Sequence, residues 1–309
     1  MRIGITYDLK SETPPAPRPD EGAGGVPDDL QEEFDNPATV EAIASVLRGL
    51  GHEVEKLGDG RELVERLLAR PPEFVFNFAE GQGVGRSREA RVPAVLEMLG
   101  IPHTGSDPLT LAVTLDKECA KRLVRHEGVA VPEGVVIEPG VDPYDALGAW
   151  ASGGPTSFPF PAIAKPAWEG SSKGIRGKCL VEDPRVLSGV VEALRRDYLQ
   201  PVLLEQFIPG DELTVGMVGN DPPQVMGVMR VLPRQPTDRF IYSLEVKRDY
   251  LRQVRYECPA RLPAPVLDAA EEAAGKAYRA LGCRDVCGWT SASAATAPRI
   301  SSKPTRCPA

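Results

Sequence analysis

The sequence predicts an α/β protein, and three observations carry that prediction. From Arg2 to Leu99 short apolar runs alternate with apolar residues at helical spacing, the order of a parallel sheet with helices on its faces. Two further apolar runs, Pro161 to Lys165 and Val202 to Glu205, flank a helical stretch from Arg185 to Tyr198. Val215 to Val231 then alternates in the manner of antiparallel strands.

Each element has a local reason. Arg2 to Tyr7 is a short strand entering a loop. Lys10 to Pro37 is rich in Pro, Gly and acids without periodicity and reads as a loop or flexible flap, and the acidic segment Asp20 to Asp35 is assigned no role beyond that loop. Val40, Ile43, Ala44, Val46, Leu47 and Leu50 predict a helix over Ala38 to Leu50, ended by Gly51. Val54 opens a strand. Leu63, Leu67 and Leu68 mark a helix stopped by Pro71-Pro72, and Phe74 to Phe78 is a buried strand. Ala79 to Arg86 follows it and opens a helix whose apolar face is Val92, Val95, Leu96 and Leu99. Its glycines free backbone N–H groups that suit an anion or carboxylate, and they serve a plain βα turn equally well. Beyond Ala130 the chain is Pro-rich, passes a helix around Tyr144 to Trp150 and reaches a linker or hairpin tip at Gly153 to Ser157.

A chain of 309 residues is long enough for two or three sub-domains. A net charge of -8 excludes a nucleic-acid partner, whose phosphates need a basic face. No apolar run spans a bilayer and Met1 to Thr6 lacks a signal-peptide core, so a cytosolic protein without membrane partners is expected. Its six cysteines are then expected as reduced thiols. Cys283 and Cys287 could share a helical face, but zinc needs two further soft or imidazole ligands, and His52, His103 and His126 are remote in sequence.

The most informative stretch runs from Ala162 to Ile175. Lys165 closes an apolar run, and Glu169, Gly170, Ser171 and Ser172 follow in a loop of mainly small residues with free N–H groups, which is what cradling a polyphosphate requires. Glu205 ends a second apolar run and Glu212 begins a third, so two carboxylates stand at strand ends where they could accept from an adenine amine and ribose hydroxyls.

In their order and spacing these residues resemble the ATP-grasp ligases, and among them the D-alanine–D-alanine ligases. The likeness is gap-free from Lys165 to Thr214 and weaker from about Phe74 to Asp285, including Ile101 to Ser106 and Thr114 to Lys117. It implies an ATP-grasp fold: an N-terminal parallel α/β domain (1–110), then central (111–206) and C-terminal (207–287) α+β sub-domains enclosing ATP. It further implies that Lys117, Lys165 and Lys247 face phosphates, that Ser171 and Ser172 line the phosphate loop, and that Ser171 and Lys247 stand at the reacting centre. Glu205, Gln206, Phe207 and Ile208 would form the adenine hinge, and Glu212 would hold the ribose. The implied reaction is ATP-dependent ligation of a carboxylate to an amine through an acyl phosphate, with Mg2+, on small amino-acid or peptide substrates, in a homodimer. With D-alanine as substrate the role would be peptidoglycan precursor synthesis.

Three departures bear on that implication. The family's Gly-Gly-x-Ser-x-Glu type motif after the first strand, whose Glu binds the first substrate's amine, is replaced by Tyr7-Asp8-Leu9-Lys10-Ser11-Glu12. Tyr242, Glu245 and Lys247 keep the family's places, but Arg248 stands where a tyrosine is expected. Third, the chain follows the family to Cys287 and then runs from Gly288 to Ala309 without one Asp or Glu, so it lacks the Arg-Val-Asp and Glu-x-Asn ligands of the family's magnesium ions.

That tail reads as a reading-frame slip. Back-translated with G- or C-ending codons and read two bases later, it becomes V-D-F-R-L-G-R-D-G-T-P-H-L-L-E-A-N-P-L-P-G, and one restored base supplies the Arg before the valine. The expectations are an incomplete last sub-domain, a disordered tail over 288–309, and a chain impaired in catalysis as written. The alternatives are a ligase for a different amino acid or peptide, and a nucleotide-binding relative without catalysis.

Overall fold

The computed structural model describes residues 1–11, 26–152, 157–294 and 297–305. They divide into two compact units, with the division in the chain between Ala112 and Val113.

In the first unit, β1 (Arg2–Thr6), β2 (Glu53–Lys56) and β3 (Phe74–Asn77) form a parallel sheet in the order β2-β1-β3. Helix α1 (Pro37–Gly49) starts where Asn36 accepts from the N–H of Thr39 at 2.8 Å, a cap with Pro at the first helical position. Helices α2 (Gly60–Ala69) and α3 (Arg91–Met98) bury Leu63, Leu67, Val92 and Leu96 against Val75 and Ile101. α4 (Pro108–Leu115) contains the division between the units.

The acidic segment departs from its reading as a flexible loop. Residues 12–25 lie outside the described residues, but 26–35 is a run of turns against the strand ends. Asp35 N–H donates to the Asp8 carbonyl at 2.8 Å, and Lys10 N–H donates to that of Asp35 at 2.9 Å. Glu33 forms a buried ion pair with Arg88. Partnered backbone and a shielded counter-ion hold what composition alone describes as loop.

The second unit contains two sheets. β4 (Gly134–Ile137), β5 (Ala162–Pro166), β6 (Leu180–Val181) and β7 (Val202–Gln206) pair antiparallel in the order β4-β7-β5-β6, with α6 (Pro143–Ser152) and α7 (Leu187–Tyr198) in the connections. The linker expected at Gly153 to Ser157 lies outside the described residues except for Ser157. The five-stranded sheet contains β8 (Asp211–Val218), β9 (Gln224–Pro233), β10 (Val254–Glu257), β11 (Val286–Ala294) and β12 (Ala297–Thr305) in the order β10-β9-β8-β11-β12. Short helices α8 (Leu244–Arg248) and α9 (Tyr250–Gln253) lie between β9 and β10, and α10 (Ala264–Ala280) precedes β11.

The core under this larger sheet joins Leu213, Val215 and Met217 of β8 to Ala274 and Tyr278 of α10 and to Ala120 and Val124 of α5 (Lys117–His126). The helix that opens the expected 111–206 sub-domain therefore packs with the sheet of the following one. Cys283 and Cys287 are buried in the same core, Cys287 within β11, so they share no helical face.

The tail also differs from its expectation. β11 continues to Ala294 paired with β8, and β12 returns beside it. Backbone N–H and C=O groups along the edge of β8 need partners whatever side chains are offered, and Trp289, 2% exposed, supplies apolar bulk. No helix among the described residues is long and apolar enough to cross a membrane.

Candidate functional site

The residues singled out between Lys117 and Lys247 converge in the second unit. β5 and β7 pair so that Ile163 faces Glu205 and Lys165 faces Leu203. Lys165 and Glu205 are thus diagonal neighbours on one sheet face, within reach of long side chains. Both are buried, and Lys165 Nζ bonds Glu205 Oε2. Lys121 of α5 occupies the other oxygen, its Nζ 2.9 Å from Oε1. Burial raises the pKa of Glu205, but the charges of Lys165 and Lys121 outweigh it and hold the carboxyl at about 2.

Beyond β5 the chain turns into a strained loop. Ser171 and Ser172 take φ of 47° and 62°, in the left-handed region that costs a non-glycine residue about 1–3 kcal/mol. Gly174 has φ 75°, and a Cβ there would stand 2.4 Å from Cγ of Pro166, so the loop closes onto its own strand only with glycine. Lys173 N–H donates to the Gly170 carbonyl at 2.8 Å and Ile175 N–H to that of Ser172 at 2.9 Å. The hydroxyl of Ser172 donates to the carbonyl of Tyr242 at 3.0 Å, while the Ser171 side chain is exposed.

The loop is supported from beneath. Lys117 Nζ donates to the carbonyls of Pro166 at 2.9 Å, Ala167 at 3.4 Å and Glu169 at 2.5 Å. Glu169 accepts from Lys173 at 2.9 Å and from Gln200 Nε2 at 2.7 Å, and Gln200 accepts from Trp168 N–H at 2.7 Å. Lys117 and Glu169 are therefore buried in contact with the loop itself.

After β7, Gln206 N–H donates to the Glu133 carbonyl at 2.8 Å and Phe207 N–H to that of Pro161 at 2.9 Å. Ile208 makes no backbone hydrogen bond among the described residues, which leaves one donor and one acceptor open at the hinge. Glu212 follows on β8. Burial raises its pKa from 4.5 to about 7, against the pull of Lys247 and Lys165. Lys247 of α8 lies 5.1 Å from the ring centroid of Tyr242, a cation–π distance. Two cations thus act on one half-buried carboxylate beside the strained loop.

This arrangement fits a nucleotide: open backbone at a hinge, carboxylates and lysines in reach, and a loop of forced conformation. It does not fit magnesium. Among the described residues the one group of three closely spaced oxygen ligands, Glu33, Glu80 and Glu89, belongs to the first unit. Strands β11 and β12 contain no Asp or Glu. No chemical step is assigned to a metal on these residues.

Lys121, Lys173 and Gln200 are members of the network that sequence reading missed. For Lys121 a signal existed: it lies one helical turn after Lys117, on the same face of α5.

The described architecture matches solved structures. A D-alanine–D-alanine ligase from Bacillus anthracis aligns with a TM-score of 0.70 over 99% of this chain and 86% of that one, at 20% identity. The same ligase complexed with ATP aligns with a TM-score of 0.68. The fold is ATP-grasp. By sequence, a family model described as D-ala D-ala ligase C-terminus matches residues 123–289. The D-alanine–D-alanine ligase of Syntrophotalea carbinolica is 32% identical over 79% of this chain and 72% of its own length. The uncharacterized protein y4sG of Sinorhizobium fredii is 31% identical over 79% of this chain and 70% of its own length. The chain belongs to the D-alanine–D-alanine ligase family, ATP-dependent ligases that form a C–N bond.

Proposed function

We propose that the second unit binds ATP and that the function built on it is joining a carboxylate to an amine. The observation that carries this is the buried Lys165–Glu205 pair at the head of a positive-φ loop, with the open Ile208 backbone beside it. In this reading Lys165 reaches phosphate and base, and Gly170, Ser171 and Ser172 hold phosphate oxygens. Glu205 accepts from the adenine amine, Gln206 to Ile208 border the base, and Glu212 accepts from ribose hydroxyls. Lys247 faces the transferring phosphoryl group with Ser171. Lys117 and Glu169 act through the loop they support.

In the reaction a carboxylate oxygen takes the γ-phosphoryl group as its bond to ADP breaks. The amine nitrogen then attacks the carbonyl carbon, phosphate leaves with that oxygen, and the amine gives up a proton. These residues contribute by positioning and by neutralising charge. D-alanine is the first substrate to test, because the relatives from Syntrophotalea carbinolica and Bacillus anthracis are ligases of it. A different amino acid or peptide is the second reading, favoured by the Tyr7 to Glu12 replacement and by Arg248. Asp8 in that replacement accepts through Oδ2 from the N–H groups of Glu80 at 2.9 Å and Gly81 at 2.8 Å. Glu12 lies outside the described residues.

The end of the chain is read as a frame slip after Cys287, and three observations support it. The family match ends at residue 289. Trp289 Nε1 is buried without a hydrogen-bond partner, a defect of about 1–3 kcal/mol. Restoring the frame puts valine in place of Trp289, opposite Val215, and phenylalanine in place of Ser291, opposite Leu213, whose side chains are in the core. The same shift puts aspartate at the position of Thr290, opposite Thr214 and on the face of β8 that Glu212 shares. A chain without those ligands binds nucleotide and turns it over poorly, if at all. The remaining assignments are a cytosolic protein, a homodimer, and sub-domains over 1–110, 111–206 and 207–287.

Two titrations test the nucleotide reading. ATP binding measured by isothermal titration calorimetry should weaken at least about tenfold in Lys165→Ala, the scale of one lost charge-assisted hydrogen bond. Unchanged affinity would reject the site. Adenosine, which carries no titrating phosphate, isolates Glu212. With that carboxyl at about 7, ribose hydroxyls meet an ionised acceptor only at higher pH. Adenosine affinity should rise by up to about tenfold from pH 6 to 8 and become flat in Glu212→Gln. The linked effect on stability has the opposite sign. A carboxyl raised from 4.5 to about 7 stabilises the folded chain below 4.5, and that contribution is lost as pH rises through 7.

A further inference from the structure

Lys121 has a geometry that phosphate binding does not explain. It is 2% exposed, on α5, one turn beyond Lys117 and behind Glu205. Its Nζ is 2.9 Å from Glu205 Oε1, an ion pair without hydrogen-bond geometry, while Lys165 Nζ bonds Oε2, so the two oxygens of one carboxylate face two different ammonium groups. Strand β4 is shaped around this contact. Gly134 stands opposite Glu205 in the β4–β7 ladder, and a Cβ on it would come within 2.7 Å of Lys121 Nζ. A glycine in a strand interior weakens the strand, and here its absent side chain is the space the ammonium fills.

We propose that Lys121 is a positioning residue for base selection, holding Glu205 ionised and in one orientation so that the site accepts a base bearing an exocyclic amine and rejects one bearing a carbonyl there. This rests on the ATP reading above and deepens it. A carboxylate flanked by two ammonium groups is an acceptor only. It takes a hydrogen bond from the 6-amino group of adenine and faces the 6-oxo group of hypoxanthine oxygen to oxygen. Without Lys121 the buried carboxyl loses one of the two charges that keep it ionised and the ion pair at Oε1. Once protonated it donates to a carbonyl, and discrimination falls. Lys165 cannot supply this alone, because its Nζ binds the other oxygen.

The test compares ATP with inosine triphosphate, which differs at this edge of the base, by calorimetric titration of the full chain, so that neither turnover nor metal is needed. Lys121→Met is expected to lower the ratio of ATP to inosine triphosphate affinity at least fivefold, with the loss growing toward lower pH, while Lys121→Arg keeps the ratio within twofold. Gly134→Ala keeps the charge but displaces the ammonium, and it should lower the ratio at least threefold. That variant decides the matter if Lys121→Met does not fold. An unchanged ratio in a folded Lys121→Met, or equal weakening toward both nucleotides, overturns the proposal and leaves the ATP site standing. A parent chain that binds neither nucleotide overturns the ATP reading and this proposal with it.

Discussion

Restoring the frame after Cys287 is expected to convert a near-inactive chain into a ligase. Removing a single pre-organised group that stabilises transferring charge costs about 10²–10³-fold in turnover. The restored tail returns several such groups at once, so ADP release should rise by at least about a hundredfold. The gain should disappear with a chelator and in Lys165→Ala. A screen of amino acids and short peptides on the restored chain identifies the substrate, since D-alanine should lead only if the Tyr7 to Glu12 stretch preserves that specificity. Chelator-sensitive turnover by the chain as written, above its own Lys165→Ala control, would refute the assignment of impairment. The physical basis lies in β11. Its backbone completes the sheet with almost any side chains, but chemistry at the sheet face depends on which atoms those side chains present. In the written chain the register opposite Thr214 holds Thr290, one hydroxyl where the shifted frame supplies a carboxylate.

Glu205→Ala is expected to lower stability by about 3–5 kcal/mol, the cost of leaving a buried charge without its counter-ion. The effect should lie high in that range, because one carboxylate serves both Lys121 and Lys165, which are 2% and 7% exposed. Thermal or urea unfolding measures it, and a loss below about 1 kcal/mol would show that water or a rearranged partner compensates. The pH dependence gives a second check. The folded-state pKa of Glu205 lies at about 2, below its ordinary 4.5, so its contribution is fully present above 4.5 and is lost as pH falls toward 2. The parent chain should therefore lose stability more steeply than Glu205→Ala across that window. Replacing all three groups by apolar residues of similar size should recover much of the loss, because a filled apolar core does not require the pair.

Much of this protein was legible in its residues. Val40, Ala44 and Leu47 mark α1 because a helix must bury one stripe. Ala162 to Lys165 followed by Glu169 to Ser172 marks a strand and a phosphate-type loop for equally local reasons. The spacing from Lys165 to Glu212 carries the family.

Other features required the fold. The ammonium of Lys117 donates to the carbonyls of Pro166, Ala167 and Glu169, contacts that are invisible until β5 and α5 are packed together. The segment at 26–35 read as a flexible loop because composition cannot register that Arg88, more than fifty residues away, supplies a buried counter-ion for Glu33. The tail looked unstructured because periodicity describes side chains, whereas β11 is held by the open edge of β8 through backbone groups that every residue but proline carries. The sequence by itself determined most of the elements before Cys287 and the family, which depend on neighbours in the chain. Only the tertiary structure decided that Lys121, Lys165 and Glu205 share one buried charge network, because a net interaction between buried ions depends on distance and desolvation, and neither is set by position along the chain.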